Sequence, residues 1–258
     1  MVHKGFDDLL AIMARLRGAD GCPWDRRQTK DDLKPFLIEE TYEILEALDK
    51  GDVQGLREEL GDLLFHIIFM ARIAEEEGTF TIHDVIQGIT EKMQRRHPHV
   101  FGDATVTEAS EVEANWAKIK AAEKPRASLI AGVPRHLPAL LRAYRLTQRA
   151  ARVGFDWENK DQVWEKLEEE LGEFQEALHE DKKELLREEL GDIFFSLVNV
   201  ARFIDVDPED ALRRTTNQFT QRFTYIEQRL QEQGKTPEEA SLTEMDALWE
   251  ESKGKTRR

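Results

Sequence analysis

The amino-acid sequence predicts an all-α protein that contains two tandem copies of one helical unit. With 15 Gly and 8 Pro among 258 residues, and with 34% of the residues charged, the composition suits long solvent-exposed helices better than sheets. Apolar residues recur at spacings of three and four, and no stretch shows a convincing alternation of period two. Two acidic motifs also recur later in the chain with one common offset, which indicates an internal repeat.

The net charge and the cysteine content narrow the class of protein. A net charge of −15 disfavours nucleic acid and anionic membranes as partners, although divalent cations can still bring phosphate substrates to an acidic protein. The single cysteine, Cys22, excludes an intramolecular disulfide, as expected in a reducing cytoplasm. Residues 6–17 already carry charges, and no apolar run is long enough for a transmembrane helix. We therefore expect a cytoplasmic protein that binds neither nucleic acid nor a membrane.

The repeat is clearest in the two acidic motifs. Glu39–Glu43 recurs as Glu169–Glu173, and Glu58–Phe65 recurs as Glu188–Phe195, in both cases 130 residues later. Two separate motifs that share one offset are hard to obtain by chance, so we interpret them as parts of one duplicated unit.

Weaker similarities extend the repeat toward the end of each copy. Segment 92–96 resembles segment 218–222 at an offset of 126 residues, and Trp116 resembles Trp249 at an offset of 133. Prolines at positions 125, 134 and 138 disfavour a continuous helix between the copies. The predicted organisation is a unit at residues 1–125, a linker at 126–137 and a second unit at 138–258.

In each copy the acidic motifs fall on two adjacent predicted helices. The residues that set the period, apolar except for Thr41, are Leu37, Thr41, Ile44 and Leu48, then Leu56, Leu60, Leu63, Leu64 and Ile67, and in the second copy Trp164, Leu167, Leu171, Phe174 and Leu178, then Leu186, Leu190, Ile193, Leu197 and Ile204. Short polar connections at residues 51–52 and 179–182 predict that the paired helices are antiparallel neighbours. Further helices are predicted at about 83–97, 107–122, 138–152, 208–233 and 241–253.

The helical period places carboxylates on a common face. Glu170 and Glu173 lie roughly 60° apart around a helix, and Glu189 and Asp192 share that spacing. Each pair borders the apolar stripe, so packing of the two helices would bring all four acids to one seam. The first copy repeats this arrangement with Glu40, Glu43, Glu59 and Asp62.

Clustered carboxylates raise one another's pKa values and therefore favour a bound cation. A hard divalent ion prefers carboxylate oxygens, and a ligand set of acids alone argues against zinc. We predict a Mg²⁺ site, with Mn²⁺ as the alternative ion, that can join an acidic protein to a polyphosphate. The competing interpretation is that these glutamates form solvated helix faces, as Glu-rich faces commonly do.

With these motifs the sequence resembles the MazG family of nucleoside triphosphate pyrophosphohydrolases. The family signature Glu-Glu-x-x-Glu, followed by Glu-x-x-Asp, occurs at Glu39–Glu43 with Glu59–Asp62 and again at Glu169–Glu173 with Glu189–Asp192. Segments 21–25 and 95–101 also resemble two-domain members of the family. The resemblance covers essentially the whole chain.

The resemblance implies a homodimeric helical bundle that hydrolyses NTPs and dNTPs to the nucleoside monophosphate and pyrophosphate. It implies that the acids named above bind Mg²⁺, and that the second unit carries the activity while the first is more structural. The predicted nucleotide contacts are Lys166, Arg222, Trp249, Lys253, Lys92 and Arg96. Glu169 and Glu188 lie beside the proposed ligands and are candidate general bases for the attacking water, or else acids that only support the ligands.

Some positions depart from the family pattern and keep other functions open. Gln218 and Leu185 stand where the family has lysines, so both units could act, or the chain could be a nucleotide-sensing or partner-binding module with a decayed site.

His66 follows Asp62 by four residues, but its counterpart is Ser196, so we interpret it as a packed histidine. A di-iron bundle would need Glu-x-x-His motifs, which the acidic segments lack.

Overall fold

The computed structural model describes residues 5–123, 128, 130–180 and 182–255. Within these residues every regular element is a helix and no strand occurs, which confirms the predicted all-α class. The chain divides into two compact units, Met1–Pro125 and Arg126–Arg258, so the division falls at the start of the segment predicted as a linker. No helix among the described residues has the length and apolarity needed to cross a bilayer.

The first unit contains seven helices in its described part. They are α1 (Phe6–Arg17), α2 (Pro23–Arg27), α3 (Lys34–Lys50), α4 (Val53–Glu76), α5 (Ile82–Arg96), α6 (Pro98–Phe101) and α7 (Ala109–Glu123). Apolar periodicity predicted α3, α4, α5 and α7 but not the other three. Helices α2 and α6 have only 5 and 4 residues, too few to show a period, and α1 fully buries Met13 alone.

The turn between α3 and α4 depends on two local features. Gly51 ends α3 with a φ of 65°, a left-handed conformation that glycine adopts without steric penalty. Asp52 then caps α4, because its carboxylate accepts hydrogen bonds from the backbone N–H groups of Gln54 at 3.1 Å and Gly55 at 2.9 Å. The chain therefore reverses within two residues and α3 packs beside α4.

The loop before α2 lies close against the end of α1. A Cβ atom at Gly21 would lie 2.2 Å from the Leu16 carbonyl oxygen and 2.4 Å from that of Arg15, so only glycine fits. The next residue, Cys22, donates its backbone N–H to the Leu16 carbonyl at 2.8 Å. Arg17 holds α2 and α4 together, since it pairs with Glu76 of α4 at 2.7 Å and donates a hydrogen bond to the Asp25 carbonyl oxygen in α2.

The core of the first unit lies where α1 meets α4. Its buried members are Met13, Leu33, Ile68, Phe69 and Ile73. All five are nearly inaccessible to solvent, and half-buried apolar residues of α1, α3, α4 and α5 surround them. This core fixes α4, the helix that carries Glu59.

The second unit contains five α-helices in its described part. They are α8 (Ala139–Ala151), α9 (Lys160–Glu180), α10 (Lys183–Phe203), α11 (Pro208–Glu232) and α12 (Leu242–Lys255), with a 3₁₀ turn at Pro237–Glu239. Periodicity predicted all five α-helices. Part of the predicted linker lies outside the described residues. Its described end is tied to α8, because Arg149 donates to the carbonyl oxygens of Ala131 at 2.7 Å and Gly132 at 3.2 Å.

The buried face of α9 differs from the predicted apolar stripe. The buried residues are Val163, Leu167, Glu170 and Ala177, whereas Trp164, Leu171 and Leu178 are 53%, 42% and 55% exposed. With 100° per residue, the buried face is rotated around the helix axis by roughly 60° from the predicted stripe. The apolar surface of α9 is broader than its contact with α10, so only part of it is covered. As a result, Glu170 lies inside the packed face rather than at its border.

Candidate metal and nucleotide site

Helices α3 and α4 bring three glutamates together about two to three helical turns from the connection at Gly51. Glu43 and Glu59 each lie eight residues from Gly51 along the chain, so the chain reversal places them level with each other. One carboxylate oxygen from each of Glu40, Glu43 and Glu59 lies within 4.8 Å of the other two. We call these three residues the first acidic triad.

Helices α9 and α10 repeat this geometry in the second unit. Glu170, Glu173 and Glu189 each place a carboxylate oxygen within 4.8 Å of the other two. We call them the second acidic triad. Glu170 is buried, Glu189 is half-buried and Glu173 is exposed, so the triad has a buried end and an end open to solvent.

The two triads perturb the pKa of one member in the same way. Desolvation and the adjacent Glu43 carboxylate raise the pKa of Glu59 above its ordinary value. Desolvation and the Glu173 carboxylate raise the pKa of Glu189. Ionisation of Glu59 and of Glu189 is therefore disfavoured in the absence of a cation, and a hard divalent ion would relieve the repulsion.

The fourth predicted acid lies outside the triad in each unit. Asp62 and Asp192 are exposed, and neither belongs to the group whose oxygens lie within 4.8 Å. Both are near enough for their charge to help raise the pKa of the glutamate three residues before them. The predicted groups of four acids are thus groups of three with an aspartate beside them, whose side chain is one methylene shorter.

Different residues bring a basic group to the first glutamate of each triad, which is the buried Glu170 in the second unit and the half-buried Glu40 in the first. Lys166 Nζ lies 2.9 Å from Glu170 and 2.8 Å from Glu169, and these contacts raise the pKa of Lys166. In the first unit His66 Nε2 lies 3.3 Å from Glu40 instead.

The repeat offset explains this exchange. At 130 residues, Phe36 occupies the position of Lys166, and His66 occupies the position of Ser196. The Phe36 ring stacks on the His66 ring, with centroids 5.5 Å apart and an angle of 5° between the planes. His66 is therefore packed, as interpreted from the sequence, but it also contacts the first acidic triad. In the sequence, that contact is indicated only by two differences that occur together between the copies: Phe36 in place of Lys166, and His66 in place of Ser196.

The two candidate bases have different surroundings. Glu169 is exposed and its carboxylate accepts a hydrogen bond from Lys166, which also contacts Glu170. Glu188 is exposed on α10, and its charge contributes to the raised pKa of Glu189. Both carboxylates lie beside the second acidic triad without belonging to it.

An arginine stacked on a tryptophan occurs in both units. The Arg96 guanidinium carbon lies 5.2 Å from the centre of the Trp116 ring, and that of Arg222 lies 5.4 Å from the centre of the Trp249 ring. Contacts of this kind are attractive because the cation meets the negative face of the ring. The weak sequence offsets of 126 and 133 residues thus correspond to equivalent contacts in space.

The remaining predicted nucleotide contacts lie near these arginines or on the same helices. Lys253 pairs with Glu250 one turn before it, and Lys92 is half-buried on α5. Gln218 is exposed on α11, and Leu185 is half-buried at the start of α10. In the described part of the chain, no hydrogen bond, ion pair or ring contact joins the second acidic triad to Arg222 or Trp249.

Comparison with known proteins matches the same segments. The MazG nucleotide pyrophosphohydrolase domain matches this chain twice, at residues 28–101 and 158–226, and these ranges contain both acidic triads. The chain is 46% identical over 251 residues to the nucleoside triphosphate pyrophosphohydrolase/pyrophosphatase MazG of Thermotoga maritima, covering 96% of each chain. It is 41% identical over 255 residues to the nucleoside triphosphate pyrophosphohydrolase of Escherichia coli K12, again covering 96% of each. It is also 49% identical to the uncharacterized protein YabN of Bacillus subtilis, of which it covers 53%.

Proposed function

The chain belongs to the MazG family of nucleotide pyrophosphohydrolases, and from this we propose that it hydrolyses NTPs and dNTPs with Mg²⁺. Water would add to the α-phosphorus, the bond to the oxygen that bridges the α- and β-phosphates would break, and a proton would leave the water. The products are the nucleoside monophosphate and pyrophosphate. The observation that carries this proposal is the acidic triad, present in the same form in both units.

The triads fit a hard divalent cation. Their ligand atoms are all carboxylate oxygens, and three of them lie within 4.8 Å of one another. Glu170, Glu173 and Glu189 would hold Mg²⁺ in the second unit, with Asp192 completing the set through its position beside them, and the first triad with Asp62 would do the same. When bound, Mg²⁺ supplies positive charge that stabilises the negative charge developing on the phosphate oxygens.

The protein's own residues would position the triphosphate and the water. Arg222 offers a planar set of donors to phosphate oxygens, and its guanidinium group stacks on the Trp249 ring. Lys166 already lies among Glu169 and Glu170, so it can orient one carboxylate while the other binds a cation. Glu169 or Glu188 would accept the proton of the attacking water.

A second copy of the chain is the proposed protein partner. Trp164, Leu171 and Leu178 leave an apolar strip of α9 exposed next to the second acidic triad. Burial of such a strip against the same strip of another copy would remove apolar surface from water, which favours a homodimer.

Release of pyrophosphate from a panel of NTPs and dNTPs with Mg²⁺ tests the activity. In ¹⁸O-labelled water the label should appear in the monophosphate, because water attacks the α-phosphorus. A chain in which Glu170 and Glu40 are both changed to alanine should lose activity. Glu165→Gln is the matched control, since Glu165 is exposed on α9 and lies about 140° around the helix from Glu170. The proposal fails if the native chain releases no pyrophosphate or if the double variant keeps its rate.

One observation favours a second candidate function. Gln218 and Leu185 provide no positive charge at two positions where the family has lysine. A chain that binds nucleotides but does not hydrolyse them would fit this loss. Calorimetric binding of an NTP without pyrophosphate release would support that alternative, whereas turnover at ordinary enzyme rates would exclude it.

A further inference from the structure

The stacked arginine has a different electrostatic environment in each unit. In the first unit, the Glu123 carboxylate at the end of α7 accepts hydrogen bonds from Arg96 Nε at 3.3 and 3.2 Å and from the Arg96 Nη2 group. The same carboxylate accepts a hydrogen bond from Arg95 Nε at 2.8 Å. The side chains of Arg96 and Glu123 are only 13% and 16% exposed, so this is a partly desolvated ion pair.

The described residues place no acid in ion-pair contact with the arginine of the second unit. Among the described residues, Arg222 Nε is buried without a hydrogen-bond partner and Arg222 takes part in no ion pair. At the offset that relates Trp116 to Trp249, the counterpart of Glu123 is Thr256, which carries no charge and lies outside the described residues. At the offset that relates Arg96 to Arg222, Arg95 corresponds to Gln221.

The contacts of Glu123 are those that a phosphate would make. A carboxylate and a phosphate both present paired oxygens to the fork of a guanidinium group, and one arginine edge cannot serve both at once. The Arg96 and Arg95 guanidinium groups also lower the pKa of Glu123 to about 2, so the acid stays ionised throughout the neutral range. It therefore remains a competitor for any phosphate that approaches Arg96.

We propose that Glu123 acts as an internal anion that occupies Arg96 and keeps triphosphates out of the first unit. Only Arg222 in the second unit is then available to a substrate phosphate. This inference rests on the proposed function, because it assigns Arg96 and Arg222 to the phosphates of an NTP. Glu123 is thus a specificity-determining residue that makes two similar units unequal.

Counting the sites for a nucleotide analogue tests the inference on the full-length chain. With Mg²⁺ and the non-hydrolysable α,β-methylene-ATP, calorimetry should find one tight site per native chain, and Arg222→Ala should remove it. Glu123→Gln should add a second site that binds at least about tenfold more tightly than any second binding to the native chain. Glu123→Thr, which reproduces the second unit's residue, should do the same. Adding Arg96→Ala to either variant should remove the new site.

The matched control removes an equal charge elsewhere in the unit. Glu108→Gln changes an exposed glutamate just before α7, and the 15-residue helix separates it from Glu123 by about 22 Å. It should leave one site. A role for Glu123 in stability alone would shift the unfolding temperature, followed by circular dichroism, without changing the number of sites.

The outcomes separate this inference from the proposed function. If the native chain binds one analogue and releases pyrophosphate, but both Glu123 variants are folded and still bind one, the inference is overturned while the function stands. Two equal sites on the native chain would also overturn it. If the native chain neither binds the analogue nor releases pyrophosphate, the proposed function itself fails.

Discussion

Replacement of Lys166 with methionine removes the ammonium group that lies 2.9 Å from Glu170 of the second acidic triad. The change leaves Glu170, which is 6% exposed, close to two other carboxylates without a cation. Removing one partner of a fully buried pair costs about 3–5 kcal/mol, and an exposed pair is worth about 0–1 kcal/mol. Because the Lys166 side chain keeps 36% of its surface in solvent, we expect a loss of about 1–3 kcal/mol from the second unit.

The assay is urea unfolding followed by circular dichroism, first in EDTA and then in saturating Mg²⁺. Lys160→Met, at the exposed first position of α9, is the control and should change stability by no more than about 0.5 kcal/mol. Mg²⁺ should recover most of the loss in Lys166→Met, because the ion replaces the missing positive charge. The neighbouring acids raise the pKa of Lys166 above its ordinary 10.5, so its contribution is complete below pH 10.5 and is lost only as the pH rises through the raised value. If the free energy of unfolding of Lys166→Met equals that of the control in EDTA, or if Mg²⁺ does not reduce its loss of stability, Lys166 does not neutralise the second acidic triad.

Three further changes test the site and the fold. In steady-state assays, Glu173→Ala should lower the rate of pyrophosphate release by more than about tenfold, whereas Glu43→Ala should retain most of the native rate. Gly21→Ala should destabilise the first unit by about 1–3 kcal/mol, because its Cβ would meet two carbonyl oxygens, while Gly88→Ala in the open middle of α5 should stabilise by about 0.5–1 kcal/mol. Glu244→Gln should lower stability at pH 7. A lysine ammonium holds the pKa of Glu244 down to about 2, so this difference should disappear as the pH falls from 4.5 through about 2.

Each of these three has an outcome that contradicts it. Equal losses of activity in Glu173→Ala and Glu43→Ala would mean that the units work together. A stable Gly21→Ala chain would show that the loop can move away from the end of α1. A deficit in Glu244→Gln that persists at pH 2 would assign the effect to packing rather than to charge.

The helices and the meeting of the acids could be predicted because both depend on local rules. Glu40 and Glu43 share a helix face by the period of 3.6 residues, and a two-residue turn brings Glu59 level with them. The exclusion of Asp62 from the triad depends on side-chain length and on how α3 packs against α4, which the spacing of residues does not specify.

The contacts between helices distant in sequence were not predictable in the same way. The sequence does not indicate a role for Glu123, because its contact with Arg96 depends on how α7 packs on α5, and a glutamate at a helix end ordinarily faces solvent. His66 was assigned to packing because Ser196 replaces it in the second copy. The packing is confirmed by the stacked Phe36 ring, but the comparison with Ser196 does not reveal that the basic group beside the first glutamate of the triad lies on α9 in the second unit and on α4 in the first.

The two exchanges between the copies have opposite consequences for binding. Replacing Lys166 and Ser196 by Phe36 and His66 keeps a basic group on the first glutamate of the triad, and both triads keep three carboxylate oxygens within 4.8 Å of one another. The acid at position 123 instead occupies Arg96, the proposed phosphate contact of the first unit, and Arg222 has no acid at the matching position. The expected result is a chain that takes up two Mg²⁺ ions but only one triphosphate. In such a chain the first unit can use its ion to neutralise and stabilise an acidic helix pair, while hydrolysis is confined to the second.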